Sequence, residues 1–237
     1  MDGIRKLLCK ARNRIRHHGL ARALYAALLR ALGHHRLLQV LRCHYVEKVN
    51  PHFLQCPPRY VGGFLSPRAL DEFTRDAEAS ISGEFVGCAL AKGDKCYGFT
   101  HEGALRAYGW YASSATRISR DLMLHFSRDY IYMYKAFTHE THRGKRLFPF
   151  GVTRALRLYC AAGYKGMLLY VDANNLDSLK SCAHMGLRVF GTVYIAKVLG
   201  RYFICSTPGC SRFGLRVEDV SAAAQRSRAF GDSRVAR

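Results

Sequence analysis

Residues 138–148 read Thr-His-Glu-Thr-His-Arg-Gly-Lys-Arg-Leu-Phe, a short basic turn between two stretches of regular pattern. Residues 130–138 before it are aromatic and rich in β-formers, and residues 147–163 after it place apolar side chains at helical spacing. A continuous apolar run at 166–171 then has the pattern of a buried strand. The pattern predicts a strand, loop, helix, strand unit, and its two strands must be parallel because a helix joins them.

The turn inside this unit has the composition of a phosphate-binding loop. Backbone N–H groups at a helix N-terminus bind phosphate well, and Gly144 permits a positive φ or a close backbone approach. Arg143, Lys145 and Arg146 add charge that suits a pyrophosphate. A solvated basic loop has the same composition, so the turn alone leaves both interpretations open.

A second stretch follows the next predicted strand: residues 175–187 read Asn-Leu-Asp-Ser-Leu-Lys-Ser-Cys-Ala-His-Met-Gly-Leu. The two stretches, in this order, resemble two motifs of the general N-acetyltransferase (GNAT) superfamily. These are an acyl-CoA loop of the form Arg-Gly-x-Gly and a later Asn-x-x-Ala/Ser with a Gly-Phe-like end. Asn175, Ser178 and Gly186 lie at matching offsets, with Leu187 where Phe is usual. The resemblance covers about residues 85–199.

This resemblance implies an acyl-CoA-dependent N-acyltransferase that uses acetyl-CoA or another acyl-CoA as co-substrate. It implies a strand ending near 136–138 that splays from its neighbour and binds pantetheine, and a following loop that holds the pyrophosphate. The cofactor-binding residues that it implies are Ala136, Phe137, Thr138, His142, Arg143, Gly144, Lys145, Arg146, Leu147, Phe148, Asn175 and Ser178.

Two residues depart from the family pattern. Arg146 stands where a small residue normally lets the helix backbone approach the phosphates, although its extra cation can compensate. Cys182 stands where many members have a tyrosine that protonates the leaving thiolate. We interpret Cys182 as a small core residue on a helix face.

Aminolysis of a thioester needs an unprotonated amine, a polarised carbonyl and an acid for the departing sulfur. The candidate catalytic residues are Glu102, Glu140 and Tyr194, with His139 as another possible base and Tyr132 and Tyr134 as other possible acids. Each has an ordinary structural interpretation as well, the glutamates as turn residues and the tyrosines as core. The amine acceptor is not identified.

The rest of the chain predicts an α+β fold with a mixed, mostly antiparallel central sheet flanked by helices. Strands are predicted at 85–91, 95–101, 104–113, 189–199 and 202–205, with a hairpin turn at Glu102–Gly103. Helical patterns begin after Ser66–Pro67 and at 178–185. His139-Glu-Thr-His142 is one residue short of a zinc-binding helix motif, so no metal site is predicted.

The N-terminal region predicts a basic helical extension at 1–42, ahead of an acyltransferase domain at 43–218 and a flexible tail at 219–237. Two amphipathic helices are indicated. The first carries Ile4, Leu7, Leu8, Ala11 and Ile15, and the second carries Leu20, Leu24, Leu28 and Leu32. They are expected either to dock on the domain or to lie on a membrane surface.

The formal charge of +20 indicates a polyanionic partner. One alternative function is therefore a membrane-surface acyltransferase that uses long-chain acyl-CoA or acyl-carrier protein. Another is a non-catalytic nucleic-acid-binding protein, which ranks lower because no nucleic-acid-binding motif is recognisable. Nine scattered cysteines and no recognised secretory signal or transmembrane run predict a cytoplasmic protein, with peripheral attachment at the inner membrane surface as an alternative.

Overall fold

The structure, a computed structural model, describes residues 18–34 and 38–221. Its helices are α1 (Leu20–His34), α2 (Pro67–Phe73), α3 (Gly83–Ala91), α4 (Leu147–Ala161), α5 (Leu176–His184) and α6 (Gly209–Arg212). Its strands are β1 (Leu38–Val46), β2 (Val61–Phe64), β3 (Lys95–His101), β4 (Ala104–Ala112), β5 (Thr116–Arg117), β6 (Leu122–His125), β7 (Tyr130–Thr138), β8 (Gly166–Asp172), β9 (Arg188–Val198), β10 (Arg201–Ser206) and β11 (Arg216–Asp219).

The main sheet has the strand order β10-β9-β1-β8-β7-β4-β3-β2, and a small second sheet has the order β11-β6-β5. The pair β7 and β8 is parallel, whereas the other pairs in the main sheet are antiparallel. The predicted α+β class and the mixed, mostly antiparallel sheet flanked by helices are confirmed. The strand, loop, helix, strand unit runs from β7 through α4 to β8, as the turn at 138–148 predicts.

The two faces of the main sheet carry separate cores. On one face, α4 buries Leu147, Phe150 and Leu156 against Ile131 and Met133 of β7. The opposite face is covered on one side by α2 and α3, which pack on Trp110, and on the other by the small sheet and α6. Burial on both faces explains why β8 reads as a continuous apolar run.

The segment 85–91, which the sequence predicts as a strand, is helix α3, so that prediction is wrong. The Ser82 side chain accepts a hydrogen bond from the Phe85 N–H and caps the helix. Val86 and Ala89, three positions apart, are the buried residues of α3. A short apolar run fits a helix or a strand equally well by periodicity, and here the serine cap decides it.

Strand β1, which the sequence does not predict, lies between β8 and β9 in the middle of the main sheet. Leu41 and Cys43 on this strand are completely buried. The strand crosses the predicted boundary between residues 42 and 43, so the folded domain includes at least residues 38–42. Of the tail predicted at 219–237, residues 222–237 lie outside the described residues. Asp219, its first residue, ends β11, which pairs with β6.

Helix α1 confirms the second of the two predicted N-terminal helices, and the first lies outside the described residues. The side of α1 that packs on the domain carries Ala23, Ala26 and Leu29, with Leu29 against Val40 of β1 and Ala173. None of the helices in the described ranges is both long enough and apolar enough to cross a bilayer.

Candidate active site

The parallel strands β7 and β8 stay paired for only four residues. Their register runs from Tyr130 opposite Gly166 to Met133 opposite Leu169. Beyond that point β7 continues to Thr138 paired with β4, and β8 continues to Asp172 paired with β1. The two strands therefore diverge, and the facing backbone edges of residues 134–138 and 170–172 are not joined by sheet pairing. We call this gap the cleft.

The basic turn follows the cleft directly. A short 3-10 turn at Glu140–His142 leads to Gly144 (φ 78°) and Arg146 (φ 59°), and α4 begins at Leu147. Arg146 is the residue before the helix, makes no side-chain cap, and the first turn of α4 contains no acidic residue. The positive end of this 15-residue helix is thus reinforced by neighbouring cations and not neutralised by a helix acid.

Three contacts hold the basic turn in place. The Tyr60 hydroxyl lies 2.8 Å from Nδ1 of His142. The backbone N–H of His139 donates to the carbonyl of Arg106 at 2.8 Å, which ties the turn to β4. The Arg143 guanidinium donates to the Thr138 carbonyl at 3.3 Å, at the open end of β7. These contacts hold the turn against β4 and the end of β7, while residues 143–146 themselves are exposed.

His142 sits among other basic groups. Burial, and then the positive charge of Lys145 and Arg106, lower the pKa of His142 below its ordinary value. The rings of His101 and His139 lie 5.3 and 5.8 Å from the His142 ring. An anion bound at this turn would reverse the electrostatic part of that shift, because it stabilises the protonated imidazole.

A cavity of about 570 Å³ lies between the start of α4 and helix α5. Arg146, Lys180 and the titratable His52 and His184 contribute to its wall, together with the carboxylate of Asp177. The ring of His18 lies 3.1 Å from that carboxylate. The cavity is mainly basic and adjoins the positive end of α4, which suits phosphate groups.

Asn175 and Ser178, implied as cofactor residues, meet at the start of α5. The Asn175 side-chain oxygen accepts a hydrogen bond from the Ser178 N–H at 3.2 Å, so Asn175 caps this helix. Arg30 of α1 donates to the carbonyl of the preceding Asn174 at 3.2 Å. The N-terminal helix thus holds the same loop that carries Asn175.

Tyrosines surround the point at which β7 and β8 diverge. Tyr134 and Tyr170 are the first residues beyond the paired segment on β7 and β8, respectively. The Tyr132 ring stacks on both, with ring centroids 6.1 Å from Tyr134 and 6.4 Å from Tyr170. Tyr134 donates its hydroxyl to the buried carboxylate of Asp94 at 2.8 Å. Neither Asp94 nor Tyr170 is predicted from the sequence, because only the sheet pairing brings them to this point.

These hydroxyls are held in the protonated form. Burial, and then the negative charge of Asp172, raise the pKa of Tyr170 to about 12. Burial and the hydrogen bond to Asp94 raise the pKa of Tyr134. The Tyr132 hydroxyl is buried and finds no hydrogen-bond partner among residues 18–34 and 38–221. At neutral pH a tyrosine here can act as an acid but not as a base.

The three candidate catalytic residues lie apart from one another. Glu102 is exposed in the β3–β4 turn at a positive φ of 53°, and Glu140 is exposed in the 3-10 turn after β7. Tyr194 is on β9, and the strand order places β1 and β8 between it and β7. Of the three, Glu140 is nearest in the chain to the end of the cleft.

The other residues implied by the resemblance have mixed surroundings. Phe137 stacks on Tyr108 of β4 with ring centroids 5.4 Å apart. The Leu147 side chain is core, so any contact with a ligand would use its backbone. Cys182 is also core, and burial raises the pKa of its thiol to about 12.

In the part of the chain described, no three His, Cys, Asp or Glu side chains group as metal ligands.

Several solved structures of GNAT acetyltransferases are similar in shape. An acetyltransferase from the GNAT family of Colwellia psychrerythraea is 16% identical over 68% of this chain and 57% of its own, with a TM-score of 0.46. A GCN5-related N-acetyltransferase from Sphaerobacter thermophilus is 13% identical over 76% and 55%, with a TM-score of 0.47. A GCN5-related N-acetyltransferase-like protein from Streptococcus suis is 13% identical over 73% and 66%, with a TM-score of 0.46.

This chain thus spans less than two thirds of the length of each of these proteins. With TM-scores below 0.5, the likenesses carry no argument about activity, which must come from the chain's own residues. No protein-family model matches the chain, and no curated protein sequence matches it.

Proposed function

We propose that the protein transfers an acyl group from acyl-CoA to an amine, with the acyl-CoA held between β7 and β8. The observation that carries this proposal is the divergence of two parallel strands beside a basic turn that opens a helix. A thioester on an extended polar arm with a pyrophosphate at its far end matches that arrangement in shape and charge.

The cleft suits the pantetheine arm of the donor. Pantetheine carries two amide groups, and the unpaired edges of β7 and β8 offer N–H and C=O groups to them, as an additional strand would. The basic turn then suits the pyrophosphate, through backbone N–H groups near Leu147 and the side chains of Arg143 and Lys145. The cavity between α4 and α5 suits the remaining phosphate of the nucleotide.

The chemistry requires the amine nitrogen to attack the thioester carbonyl, form the amide and release the CoA thiolate. A backbone N–H in the cleft can polarise the carbonyl oxygen. We assign the acid for the thiolate to Tyr170, since it lies where β7 and β8 diverge and the Tyr134 hydroxyl is already donated to Asp94. Glu140 or His139, at the end of β7, can take the proton that the amine loses.

Calorimetric titration with acetyl-CoA, a long-chain acyl-CoA and a short oligonucleotide tests the donor class. Micromolar affinity for an acyl-CoA is expected, as is usual for enzyme substrates. The preferred chain length then separates acetyl transfer from long-chain transfer. Absence of binding to either acyl-CoA, or tight binding of the oligonucleotide alone, would refute the proposal.

Two glycines provide a matched pair of variants. Gly144 and Gly103 both have φ of 78°, and a Cβ added at either would meet no atom within 4 Å. Gly144→Val and Gly103→Val should therefore lose similar stability, because each forces a β-branched residue into the left-handed region. Only Gly144→Val should weaken acyl-CoA binding, by about tenfold or more, since Gly103 lies in the β3–β4 hairpin turn.

A further inference from the structure

Helix α1 presents a stripe of leucines away from the domain. Leu20, Leu24 and Leu28 recur every four residues and are 56%, 61% and 57% exposed, and Tyr25 beside them is 46% exposed. Ala23, Ala26 and Leu29 on the other side of α1 make the contact with the domain. The leucine stripe that makes α1 amphipathic is therefore the outer face of this helix.

The tip of the β9–β10 hairpin is also apolar and exposed. Leu199 is 99% exposed, and Val198 and Phe203 beside it are each more than half exposed. A cavity of about 460 Å³ is lined on one side by Leu29 and Arg30 of α1 and on the other by Lys197, next to the tip. Leu38, which follows α1 in the structure, pairs with Ala196 of β9, so the C-terminal end of α1 lies close to the hairpin tip.

The N-terminal part of the sequence is strongly basic. Residues 3–46 contain ten Lys or Arg and no Asp or Glu. Residues 47–237 contain 27 Lys or Arg and 16 Asp or Glu, which gives the remainder a net charge of +11. A second copy of this chain carries the same net positive charge and is therefore a poor electrostatic match for this region, whereas an anionic surface is a good one.

We infer that α1 and the β9–β10 tip form a docking surface for an anionic lipid membrane. Leucines at this spacing insert at the boundary between headgroups and acyl chains. The exposed Arg22 of α1 and Arg201 next to the hairpin tip can bind anionic headgroups. A nucleic acid would satisfy the cations but would leave the leucines in water. This surface is distinct from the cleft, so the inference stands apart from the proposed acyl transfer.

Flotation with lipid vesicles tests the inference on the full chain. We expect binding to phosphatidylcholine vesicles that contain one third phosphatidylglycerol and little binding to pure phosphatidylcholine. The double variant Leu24→Gln/Leu28→Gln, which keeps good helix formers in α1, should lower the vesicle affinity by about tenfold or more. Leu199→Ser should lower it by a smaller factor.

Val61→Gln is the matched control, because Val61 is 75% exposed on β2, at the opposite edge of the main sheet. Its vesicle affinity should equal that of the unmodified chain. The affinity of the double variant for acyl-CoA should also be unchanged. The two measurements therefore distinguish a failure of membrane docking from a failure of the donor site.

Four results would overturn the inference. The first is that the chain binds neither kind of vesicle, and the second is that the double variant binds anionic vesicles as well as the unmodified chain does. The third is an oligomer in gel filtration that the double variant dissociates, which would assign the stripe to a second copy. The fourth is a double variant that melts several degrees earlier, which would show that the stripe is covered within the protein.

Discussion

Arg146 adopts the same left-handed backbone conformation as Gly144, two residues earlier in the basic turn. Their φ angles are 59° and 78°, yet only Gly144 lacks a Cβ atom. A left-handed conformation costs a non-glycine residue about 1 kcal/mol. The chain thus keeps a strained cation at the position where α4 begins, and its side chain lines the cavity beside α5.

Replacing Arg146 by glycine should stabilise the fold and weaken donor binding. Relief of the backbone strain is worth about 1 kcal/mol, which raises Tm by about 2–4 °C in a chain of this size. Loss of the guanidinium should raise the Kd for acyl-CoA several-fold. Arg146→Lys, which keeps both the strain and the charge, should leave Tm unchanged. A Tm that falls in Arg146→Gly would contradict this account.

Asn175→Ala should destabilise the protein by about 1 kcal/mol, because the cap on the Ser178 N–H is lost. Asn175→Asp keeps the accepting oxygen and should retain the stability. If the Asn175 amide N–H also binds the donor, Asn175→Asp will lose kcat/KM while melting normally. Asn174→Ala is the control, since the Arg30 contact uses the Asn174 backbone. Normal turnover in Asn175→Asp would make Asn175 purely structural.

Donor binding should depend on pH through His142. Its pKa lies below the ordinary value in the free protein, and a nearby phosphate raises it, so binding takes up a proton. Affinity should increase as pH falls through the interval between the free and bound pKa values, by at most tenfold per pH unit. The stability of the ligand-free protein has the opposite pH dependence. Because folding lowers the pKa of His142, its contribution to the free energy of unfolding is present above pH 6.5 and is lost as the pH falls through the lower pKa of the folded state.

Calorimetry in two buffers of different ionisation enthalpy measures this proton uptake directly. His142→Gln should abolish it, while other titratable groups that face His142 remain. Those groups and the neighbouring fixed charges are Tyr60, Glu78, His101, Arg106, His139 and Lys145. Proton uptake that persists in His142→Gln would assign the linkage to one of these neighbours.

Tyr170→Phe and Tyr132→Phe should have opposite effects. If Tyr170 protonates the thiolate, its loss should lower kcat about a hundredfold at unchanged donor KM. The Tyr132 hydroxyl is buried with no hydrogen-bond partner in the described part of the chain, so its removal should stabilise the fold by about 1 kcal/mol and preserve turnover. Steady-state kinetics and thermal melts compare the two. A greater loss of activity in Tyr132→Phe than in Tyr170→Phe would assign the acid role to Tyr132 instead.

The parts of the fold that could be predicted from the sequence are those whose signals are local. The turn at 138–148 lies between a strand and a helix that are contiguous in the chain, so composition and periodicity were sufficient there. The apolar residues Phe85, Val86 and Leu90 of α3 suit a strand as well as a helix, and only the cap at Ser82 distinguishes the two. Strand β1 has no such local signal, because its partners β8 and β9 are far away in the sequence.

Neither the face of α1 that packs nor the surroundings of the cleft could be read from residue types. Leucines normally pack, yet in α1 the small side chains of Ala23 and Ala26 allow the close approach to the domain. Asp94, Tyr134 and Tyr170 come from three different elements and meet only when the sheet forms. The candidate acid therefore had no sequence signature.

The position of β1 also affects how the chain can fold. Leu41 pairs with Asp172, about 130 residues later, and Leu38 pairs with Ala196. During synthesis β1 is made before β2 to β7 and stays unpaired until β8 and β9 follow. Such non-local pairing slows folding and leaves an apolar strand exposed to aggregation in the interval. Efficient production of this protein is therefore expected to depend on chaperones that shield β1 until β9 has been translated.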